Sequence, residues 1–291
     1  MAIDQVLLTR FNLPSAGAES VVRAKEGWLV ERAELFERYC LPAVRAQTHG
    51  DFHWIVYFDP QSPAWLLDRI RTRWAVGTFS PLFREEVSRA DLLGDIERVV
   101  GVRGDLLLTT NVDNDDGLAR DFTERLHAAA EARGQRAGRA AIYLVNGLIA
   151  SGTDVYRRTD RSNAFCSVVE PWASAETCWV DWHTALGERM PVVEVRGAPA
   201  WLQVVHGSNV SNRVHGALTS PAPYRELFPG LLDEATEPGR LRSAVDLLGV
   251  RPARRVAEVA RAAAKATALK LVGRSGLDSI KLRLARLRRA T

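Results

Sequence analysis

The chain has 291 residues, of which 46% are hydrophobic and 25% are charged, and its formal net charge is +4. That length and composition predict a globular protein with ample material for a buried core. Its three cysteines, Cys40, Cys166 and Cys178, are widely spaced and form no C-x-x-C pair, which excludes a disulfide scaffold and argues against a zinc site. No apolar stretch approaches the roughly 18 residues of a membrane-spanning helix, and the N-terminus has no basic leader. We therefore expect a cytoplasmic protein.

The net charge is unevenly distributed along the chain. Residues 251–291 contain 12 lysines and arginines against two acids, Glu258 and Asp278, whereas the preceding residues contain 27 basic against 33 acidic side chains. The high isoelectric point is therefore a property of a basic tail on an acidic body, and it does not indicate a nucleic-acid partner.

Apolar runs and helical patterns alternate along the chain, and this favours an α/β fold with a mostly parallel sheet flanked by helices. In such sheets ligands bind beyond the carboxyl ends of the strands. The predicted strands are Val6–Phe11, Phe52–Asp59, Asp105–Thr110, Ala140–Val145 and Val192–Val195. The predicted helices are Gly27–Thr48 with a break near Pro42, Ala64–Arg73, Leu118–Arg133 and Trp182–Arg189.

An acidic cluster follows the third predicted strand. Residues Asn111–Asp116 read NVDNDD, and three carboxylates are costly to hold together at the end of a buried strand. A divalent cation such as Mg²⁺ or Mn²⁺ would neutralise them, and Asp113 and Asp115 point the same way if the chain stays extended. The alternative is an acidic turn in which Asp116 caps the next helix. From the motif alone, both interpretations stay open.

Four segments, taken in order, widen the context of this cluster and resemble the rhamnosyltransferase family, whose members are GT-A-type glycosyltransferases. The fourth segment is a block of several short motifs. The segments are Leu8–Asn12, Phe36–Pro42 with Trp54–Asp59, Thr110–Asp116, and the block Tyr156–Asn163, Glu170–Pro171, Asp181–His183 and Trp201–Asn212. The resemblance implies a GT-A-like, Rossmann-related fold over residues 1–225. A helical extension, strongly basic from residue 251, then covers 226–291.

The resemblance also implies a metal and donor site. Asp113 and Asp115 would bind Mn²⁺ or Mg²⁺ and the nucleotide sugar, Asn114 would contact the donor, and His206 would be a further metal ligand. His206 has an alternative as a buried histidine satisfied by hydrogen bonds. Where the family more often has an arginine and a leucine before the first aspartate, this chain has Asn111 and Val112, so a positive charge beside the site is missing.

Two carboxylates compete for the role of catalytic base, which removes a proton from the acceptor hydroxyl. Asp181 comes first, because it precedes Trp182 and His183 at the start of a predicted helix, where it could also act as the helix cap. Glu170, next to Pro171, could instead hold a loop or bind the acceptor. Tryptophans concentrate in the same part of the chain and suit stacking against sugars, although core packing explains most of them equally well.

Three further residues are candidates for binding the donor. Arg10 follows the first strand and could meet a phosphate, Asp59 ends the second strand and suits the base or ribose, and Arg158 lies in a basic cluster with Arg157 and Arg161. Each has a plain alternative: a surface arginine, an Asp-Pro turn and a solvated loop, respectively. The asparagines at 209 and 212 suit a phosphate-contacting loop or a turn.

The basic tail ends in an amphipathic pattern. Leu277, Ile280, Leu284 and Leu287 form an apolar stripe with lysines and arginines between them. This pattern predicts either peripheral contact with the anionic inner face of the membrane or packing against the body or a second subunit.

The sequence thus predicts a metal-dependent glycosyltransferase. It would transfer a sugar, with rhamnose suggested by the family, from a dTDP-, UDP- or GDP-linked donor to a hydroxyl of a glycan, lipid-linked or small-molecule acceptor, with inversion. One alternative is a metal-dependent nucleotidyltransferase or phosphohydrolase, which also uses aspartates at strand ends. Another is a non-enzymatic protein that binds carbohydrate or a membrane surface.

Overall fold

The strands of the computed structural model form two sheets, and the structure describes residues 1–14, 27–134, 138–206, 213–254, 256–258 and 260. The strands are β1 (Ile3–Arg10), β2 (His53–Phe58), β3 (Ser80–Phe83), β4 (Leu106–Asn111), β5 (Gly117–Leu118), β6 (Ala140–Leu144), β7 (Asn146–Ser151), β8 (Asp154–Thr159), β9 (Ser167–Pro171), β10 (Val192–Val195), β11 (Trp201–Val205) and β12 (Ala217–Thr219).

The helices pack around these sheets, and three of them continue into a π-helical turn. The α-helices are α1 (Trp28–Leu35), α2 (Leu41–Arg45), α3 (Ala64–Arg69), α4 (Arg89–Val100), α5 (Phe122–Arg133), α6 (Leu186–Arg189) and α7 (Arg240–Val245). The π-helical turns are Phe36–Cys40, Ile70–Trp74 and Asp246–Val250, and two 3₁₀ turns are Trp172–Ser174 and Ala222–Tyr224. The described residues from 251 to 260 are also helical.

The first sheet has seven strands in the order β10-β6-β9-β4-β1-β2-β3. Its strand pairs are parallel except at β9, which runs antiparallel to both β4 and β6. The carboxyl ends of β1 and β4 are therefore neighbours, with Leu8 paired to Asn111. The second sheet has five strands in the order β12-β8-β7-β11-β5.

The core lies on both faces of the first sheet because its central strands are apolar along their whole length. Successive side chains of β1 face opposite sides, so Leu7 packs in one buried cluster while Val6 and Leu8 pack in the other. This is the pattern of a sheet covered on both faces, and it leaves the ends of the strands for polar residues.

Local sequence explains several helix boundaries. Helix α4 starts with a capping box, in which Ser88 and Asp91 each accept from the backbone N–H of the other, and it ends at Gly101, whose φ is 78°. The break expected near Pro42 is present as the π-helical turn Phe36–Cys40. Proline has no N–H to continue the α-helical hydrogen bonding, and Pro42 stands at the start of α2.

The predicted α/β class with flanking helices is confirmed, and three local expectations need correction. Helix α5 begins at Phe122 with Asp121 as its N-cap, so Asp116 does not cap it. Leu118, expected to begin the helix, instead lies in β5, which pairs with β11. Of the helix expected over Trp182–Arg189, only the last four residues are helical, so Asp181 is not its N-cap.

Candidate active site

The acidic cluster lies where the topology puts the carboxyl ends of β1 and β4 side by side. A cavity of about 830 Å³ opens there. This volume lies within the range of small-molecule sites. Polar and aromatic side chains dominate its wall. They include Arg10, Asn111, Asp113, Arg158, Asp160, Asn163, Trp179, Asp181, Trp182, His183, Trp201, Gln203 and His215.

Asn114 fixes the loop after β4 against the loop after β1. Its side-chain amide donates to the carbonyl oxygens of Arg10, at 2.7 Å, and Phe11, at 2.8 Å, and its oxygen accepts from Arg32 Nη1 at 2.9 Å. With both ends of the amide engaged by the protein, Asn114 holds the acidic loop in place. It does not line the cavity, so direct contact with a donor is not what its geometry offers.

Asp115 lies between an arginine and a histidine. Its Oδ2 atom is 2.6 Å from Arg32 Nη1 and 2.8 Å from His206 Nε2, and only 7% of the residue is exposed. Arg32 belongs to α1 and His206 follows β11, so three distant parts of the chain meet at this oxygen. Arg32 supplies a positive charge near the position where the family's more frequent arginine is missing.

The three carboxylates of the cluster have different electrostatic surroundings. Burial raises the pKa of Asp113, and the charge of Asp115 raises it further. Burial also acts to raise the pKa of Asp115, but the hydrogen bond with His206 and the charge of Arg32 outweigh it and lower the pKa. The pKa of Asp116 is well above its usual range because of burial and its two acidic neighbours. Asp115 is therefore the anionic centre of the cluster.

Asn111 connects Asp113 to the aromatic wall of the cavity. Its amide nitrogen is 3.2 Å from Asp113 Oδ1, and its oxygen accepts from Trp179 Nε1 at 2.8 Å. The guanidinium of Arg10 stacks on the ring of Trp179, 4.0 Å from its centroid. Stacking fixes this cation beside Asp113, where it can meet an anionic ligand.

Asp115 and His206 could hold a divalent cation. Their facing atoms, 2.8 Å apart, are close to the spacing of about 3 Å between adjacent ligands around a six-coordinate Mg²⁺. Within the described ranges no group of three or more histidine, cysteine or acidic side chains is arranged as a metal site. A cation would therefore complete its shell with substrate phosphates and water, as Mg²⁺ commonly does. These two atoms are hydrogen-bonded to each other, and Arg32 is paired with the same oxygen of Asp115, so a cation would displace both contacts.

Asp181 and His183 form part of the cavity wall facing the acidic loop. Asp181 accepts a hydrogen bond from the backbone N–H of Trp182 at 2.8 Å, and its other oxygen is 3.5 Å from Arg189 Nη1. His183 Nδ1 is 2.5 Å from the carbonyl oxygen of Ser162, which can only accept, so Nδ1 is the donor. The ring of Trp182 is 74% exposed at this wall.

Glu170 lies away from the cavity and supports the loop that carries Trp179. It is fully buried and forms an ion pair with Arg139, whose Nε is 2.6 Å away. Its carboxylate also accepts hydrogen bonds from the backbone N–H groups of Glu176 and Thr177 at 3.0 and 2.7 Å. Thr177 has a φ of 69°, which is strained for a β-branched residue. The carboxylate of Glu170 stabilises that backbone, and so positions the aromatic wall.

Of the remaining residues expected to bind the donor, one lines the cavity and one does not. Arg158 lines the cavity, 3.5 Å from Asp160. Asp59 does not line it: its carboxylate accepts from the backbone N–H of Gln61 at 2.8 Å, as expected for an Asp-Pro turn. The expected phosphate-contacting asparagines at 209 and 212 lie outside the described residues.

Two residues that sequence reasoning missed belong to the site. Arg32 carries no local signal, because it is one charged residue on an amphipathic helix far from the acidic motif. His183 stands two residues after Asp181, and only the fold shows that it lines the cavity and donates from Nδ1 to Ser162. A lone histidine beside a candidate carboxylate was the available signal.

Comparison with solved structures finds weak similarity to nucleotide-processing transferases. Residues 1–349 of S. aureus TarS in complex with UDP are 11% identical, with 79% of this chain and 65% of that chain covered and a TM-score of 0.40. A longer TarS structure is 10% identical over 70% of this chain, which spans only 37% of it, with a TM-score of 0.36. The inositol-1-phosphate CTP transferase from T. maritima is 10% identical, covering 80% and 98%, with a TM-score of 0.37.

Sequence comparison gives a clearer result. No curated protein matches the chain significantly. The model of a protein family described as "Putative rhamnosyl transferase" matches residues 4–218, well over half of the chain. The matched region includes the acidic loop, the aromatic wall and His206. The chain belongs to this rhamnosyl transferase family, and thereby to the glycosyltransferases.

Proposed function

We propose that this protein is a metal-dependent glycosyltransferase that moves a sugar from a nucleotide-sugar donor to a hydroxyl of a glycan, lipid-linked or small-molecule acceptor, with inversion. One observation carries the proposal. Asp115, on the loop that follows Asp113, meets His206 at 2.8 Å, and Asp113 lines the cavity together with Arg10, although Asp115 and His206 are not in its wall. The family makes rhamnose the first sugar to test.

The donor would bind with its anionic diphosphate near Arg10 and its polar groups near Asp113. Arg10 is held against Trp179, so it presents its charge without a further loss of side-chain freedom. Mn²⁺ or Mg²⁺ held by Asp115 and His206 would supply positive charge to the leaving diphosphate. Arg158, on another side of the cavity, is the remaining cation for the donor or for an acceptor group.

The acceptor would enter along the wall formed by Asp181, Trp182 and His183. In an inverting transfer the acceptor oxygen forms its bond to the anomeric carbon as the bond to the diphosphate breaks, and the acceptor proton passes to a base. We propose Asp181 as that base, because it lines the cavity whereas Glu170 does not. The exposed ring of Trp182 offers the apolar face on which a sugar stacks.

The decisive measurement is a thermal-shift panel of dTDP-, UDP- and GDP-sugars, dTDP-rhamnose among them, with and without Mn²⁺. A ligand at about a hundred times its Kd raises the unfolding free energy by about 2.7 kcal/mol, or roughly 5 °C or more in Tm. We expect one nucleotide series to give this shift, and Mn²⁺ to enlarge it. The Asp115→Asn and His206→Ala variants should lose the Mn²⁺-dependent part, and the exposed Asp68→Asn control should keep it.

The outcomes separate the competing functions. If no nucleotide sugar raises Tm in either condition, the proposed function is wrong. A shift of equal size with and without Mn²⁺ would instead remove the metal from the proposal. Release of nucleoside diphosphate at the same rate with and without acceptor sugars would indicate a phosphohydrolase.

A further inference from the structure

A second, smaller cavity lies beside the main one and is lined mainly by arginines. Its volume is about 250 Å³, and it lies between β8, β12 and the helical residues that follow position 250. Its wall contains Arg157, Arg158, Arg251 and Arg254, with Glu258 as its one carboxylate. We call this cavity the arginine pocket.

The positive charge of the arginine pocket is only partly neutralised. Arg254 forms an ion pair with Asp246, and Glu258 is 2.5 Å from His215 Nδ1 and 4.0 Å from Arg158. For Arg157 and Arg251, the described residues provide no carboxylate within ion-pair distance. Like charges gathered in one cavity repel one another, and a bound anion would remove that cost.

The hydrogen-bonding capacity of the pocket is also incompletely used. Nε and Nη1 of Arg254 are buried and have no hydrogen-bond partner among the described residues, while its guanidinium lies 4.8 Å from the centroid of the Tyr156 ring. Guanidinium groups present several N–H donors in a plane that matches phosphate oxygens. The arginines thus bring positive charge to the wall of the pocket, and the guanidinium of Arg254 has donors that no described residue uses.

The arginine pocket communicates with the main cavity through shared residues. Arg158 lines both cavities, and His215, in the wall of the main cavity, is hydrogen-bonded to Glu258 in the wall of the arginine pocket. Its 250 Å³ is too small for a whole sugar nucleotide and suits a head group. Apart from Arg158 its lining residues do not line the main cavity, so a diphosphate held near Asp113 and Arg10 leaves it unfilled.

We propose that the arginine pocket binds a phosphate group carried by the acceptor, while the acceptor hydroxyl lies in the main cavity. The acceptor is then a phosphorylated molecule, either a water-soluble phosphate ester or a lipid phosphate. The acceptor role of the bound molecule rests on the proposed function, whereas phosphate binding by the pocket does not. Arg158 lies in the walls of both cavities and so connects the two parts of one extended site.

The test compares phosphate binding by the full chain and by a variant with Arg157→Gln and Arg251→Gln. Both changes replace a guanidinium by a shorter, neutral amide at residues without a carboxylate partner in the described structure. Arg71→Gln with Arg73→Gln is the matched control, because these arginines are exposed on the π-helical turn after α3. The probes are glycerol 1-phosphate with glycerol as its uncharged counterpart, measured by calorimetry, and phosphatidylglycerol vesicles against phosphatidylcholine vesicles, measured by sedimentation.

We expect the wild type and the control to bind at least one phosphate probe, and the Arg157/Arg251 variant to bind it about tenfold or more weakly, since two charge-assisted contacts are lost. Loss confined to glycerol 1-phosphate identifies a soluble phosphate ester, and loss confined to the vesicles identifies a lipid phosphate. Equal binding by all three proteins, or no binding by the wild type, overturns the proposal.

A nucleotide measurement keeps this result apart from the proposed function. The nucleoside diphosphate that raises the Tm of the wild type should bind the Arg157/Arg251 variant with unchanged affinity. If its affinity falls along with that of the phosphate probe, the pocket belongs to the donor and the acceptor assignment is wrong. If the wild type binds phosphate through these arginines but binds no nucleotide, the glycosyltransferase proposal fails and, with it, the acceptor role of the pocket.

Discussion

Single residues in this site divide into those that line the cavity and those that hold the lining in place. Asp113, Asp181 and Arg10 face the cavity, whereas Asn114 and Glu170 have all their polar atoms engaged by the protein. The Glu170 carboxylate already accepts from an arginine and two backbone N–H groups, and it has no approach to an acceptor hydroxyl. The geometry therefore favours Asp181 for the transfer reaction and Glu170 for holding the loop in place.

This division predicts opposite effects for two amide substitutions. Glu170→Gln replaces an ion pair by a neutral contact in a buried position and should lower the unfolding free energy by about 1–3 kcal/mol. Asp181→Asn should leave stability within about 0.5 kcal/mol, because the residue is part-exposed and the amide oxygen can still accept from Trp182. Asp181→Asn should abolish sugar transfer and keep nucleotide binding, whereas Glu170→Gln should retain transfer below its unfolding temperature.

Urea unfolding and a transfer assay on the same preparations measure both properties. Normal turnover by the Asp181→Asn variant would remove Asp181 as the base, and His183 would be the next residue to substitute. Loss of transfer in a fully stable Glu170→Gln variant would show that the carboxylate acts in the reaction, against the assignment made from its burial.

At the scale of elements, the apolar runs were enough to predict the strands of the first sheet that position the acidic loop. Its central strands are buried on both faces, so their sequences are almost continuously apolar. A short run of apolar residues is therefore enough to identify each of them. The second sheet could not be predicted in the same way. Strand β8 reads DVYRRT with polar residues on its exposed face, and β5 is two residues long, formed only because Trp201 and Leu202 pair with it. Such pairing is a long-range property that local patterns do not carry.

The same limit applies to the site. The acidic motif and the two candidate bases are visible in sequence, since their residue types stand out against apolar neighbours. Arg32 and the arginine pocket are not visible, because each depends on elements that are far apart in the chain and meet only in the fold. Holding a loop was one of the roles that the sequence left open for Glu170, but only the fold shows that the loop is the one at Glu176 and Thr177, where the backbone is left-handed.

A close approach between two strands of the second sheet shapes the cavity wall. A Cβ atom at Gly147, in β7, would lie 2.0 Å from the ring of Trp201, which lines the cavity and stacks on Phe165 with centroids 5.4 Å apart. Gly147→Ala should therefore displace Trp201 and lower the unfolding free energy by about 1–3 kcal/mol, as overpacking does.

Gly94→Ala is the matched control for this substitution. Gly94 lies inside α4, where an added Cβ meets nothing within 4 Å, so the change should stabilise the protein by about 0.5–1 kcal/mol through helix propensity. Urea unfolding measures the change in unfolding free energy for each variant, which should be negative for Gly147→Ala and positive for Gly94→Ala. Tryptophan fluorescence should change for Gly147→Ala alone. Equal effects of the two substitutions would show that Trp201 does not pack as described.

At the scale of the whole molecule, charge is divided between an acidic body and a basic tail. The body carries the acidic cluster and the main cavity, and the basic residues concentrate after position 250. In the described beginning of that tail, Arg254 pairs with Asp246, in the π-helical turn just before it, and Glu258 pairs with His215, which precedes β12. No described helix is long and apolar enough to cross a membrane. The stripe of Leu277, Ile280, Leu284 and Leu287 lies outside the described residues.

We propose that this stripe and its basic residues bring the protein to an anionic membrane surface. Replacing Lys281, Arg283, Arg286, Arg288 and Arg289 by glutamine should remove binding to phosphatidylglycerol vesicles at low salt, since each basic residue contributes about 1 kcal/mol near such a surface. Raising the ionic strength should also weaken wild-type binding to these vesicles, because salt screens the same charges. Vesicle sedimentation measures both effects, with phosphatidylcholine vesicles as the control.

The nucleotide thermal shift should be unchanged in this tail variant, because the proposed donor site lies in the body. The alternative, packing of the tail on a second subunit, predicts a different result in the same protein. Vesicle binding would then persist or be absent in both proteins, while the sedimentation coefficient would fall in the variant as dimers dissociate. A tail that binds membrane and a pocket that binds acceptor phosphate use different arginines. The tail variant should therefore keep its affinity for glycerol 1-phosphate if the pocket takes soluble esters, and a parallel loss of both would show that one basic surface serves the two roles.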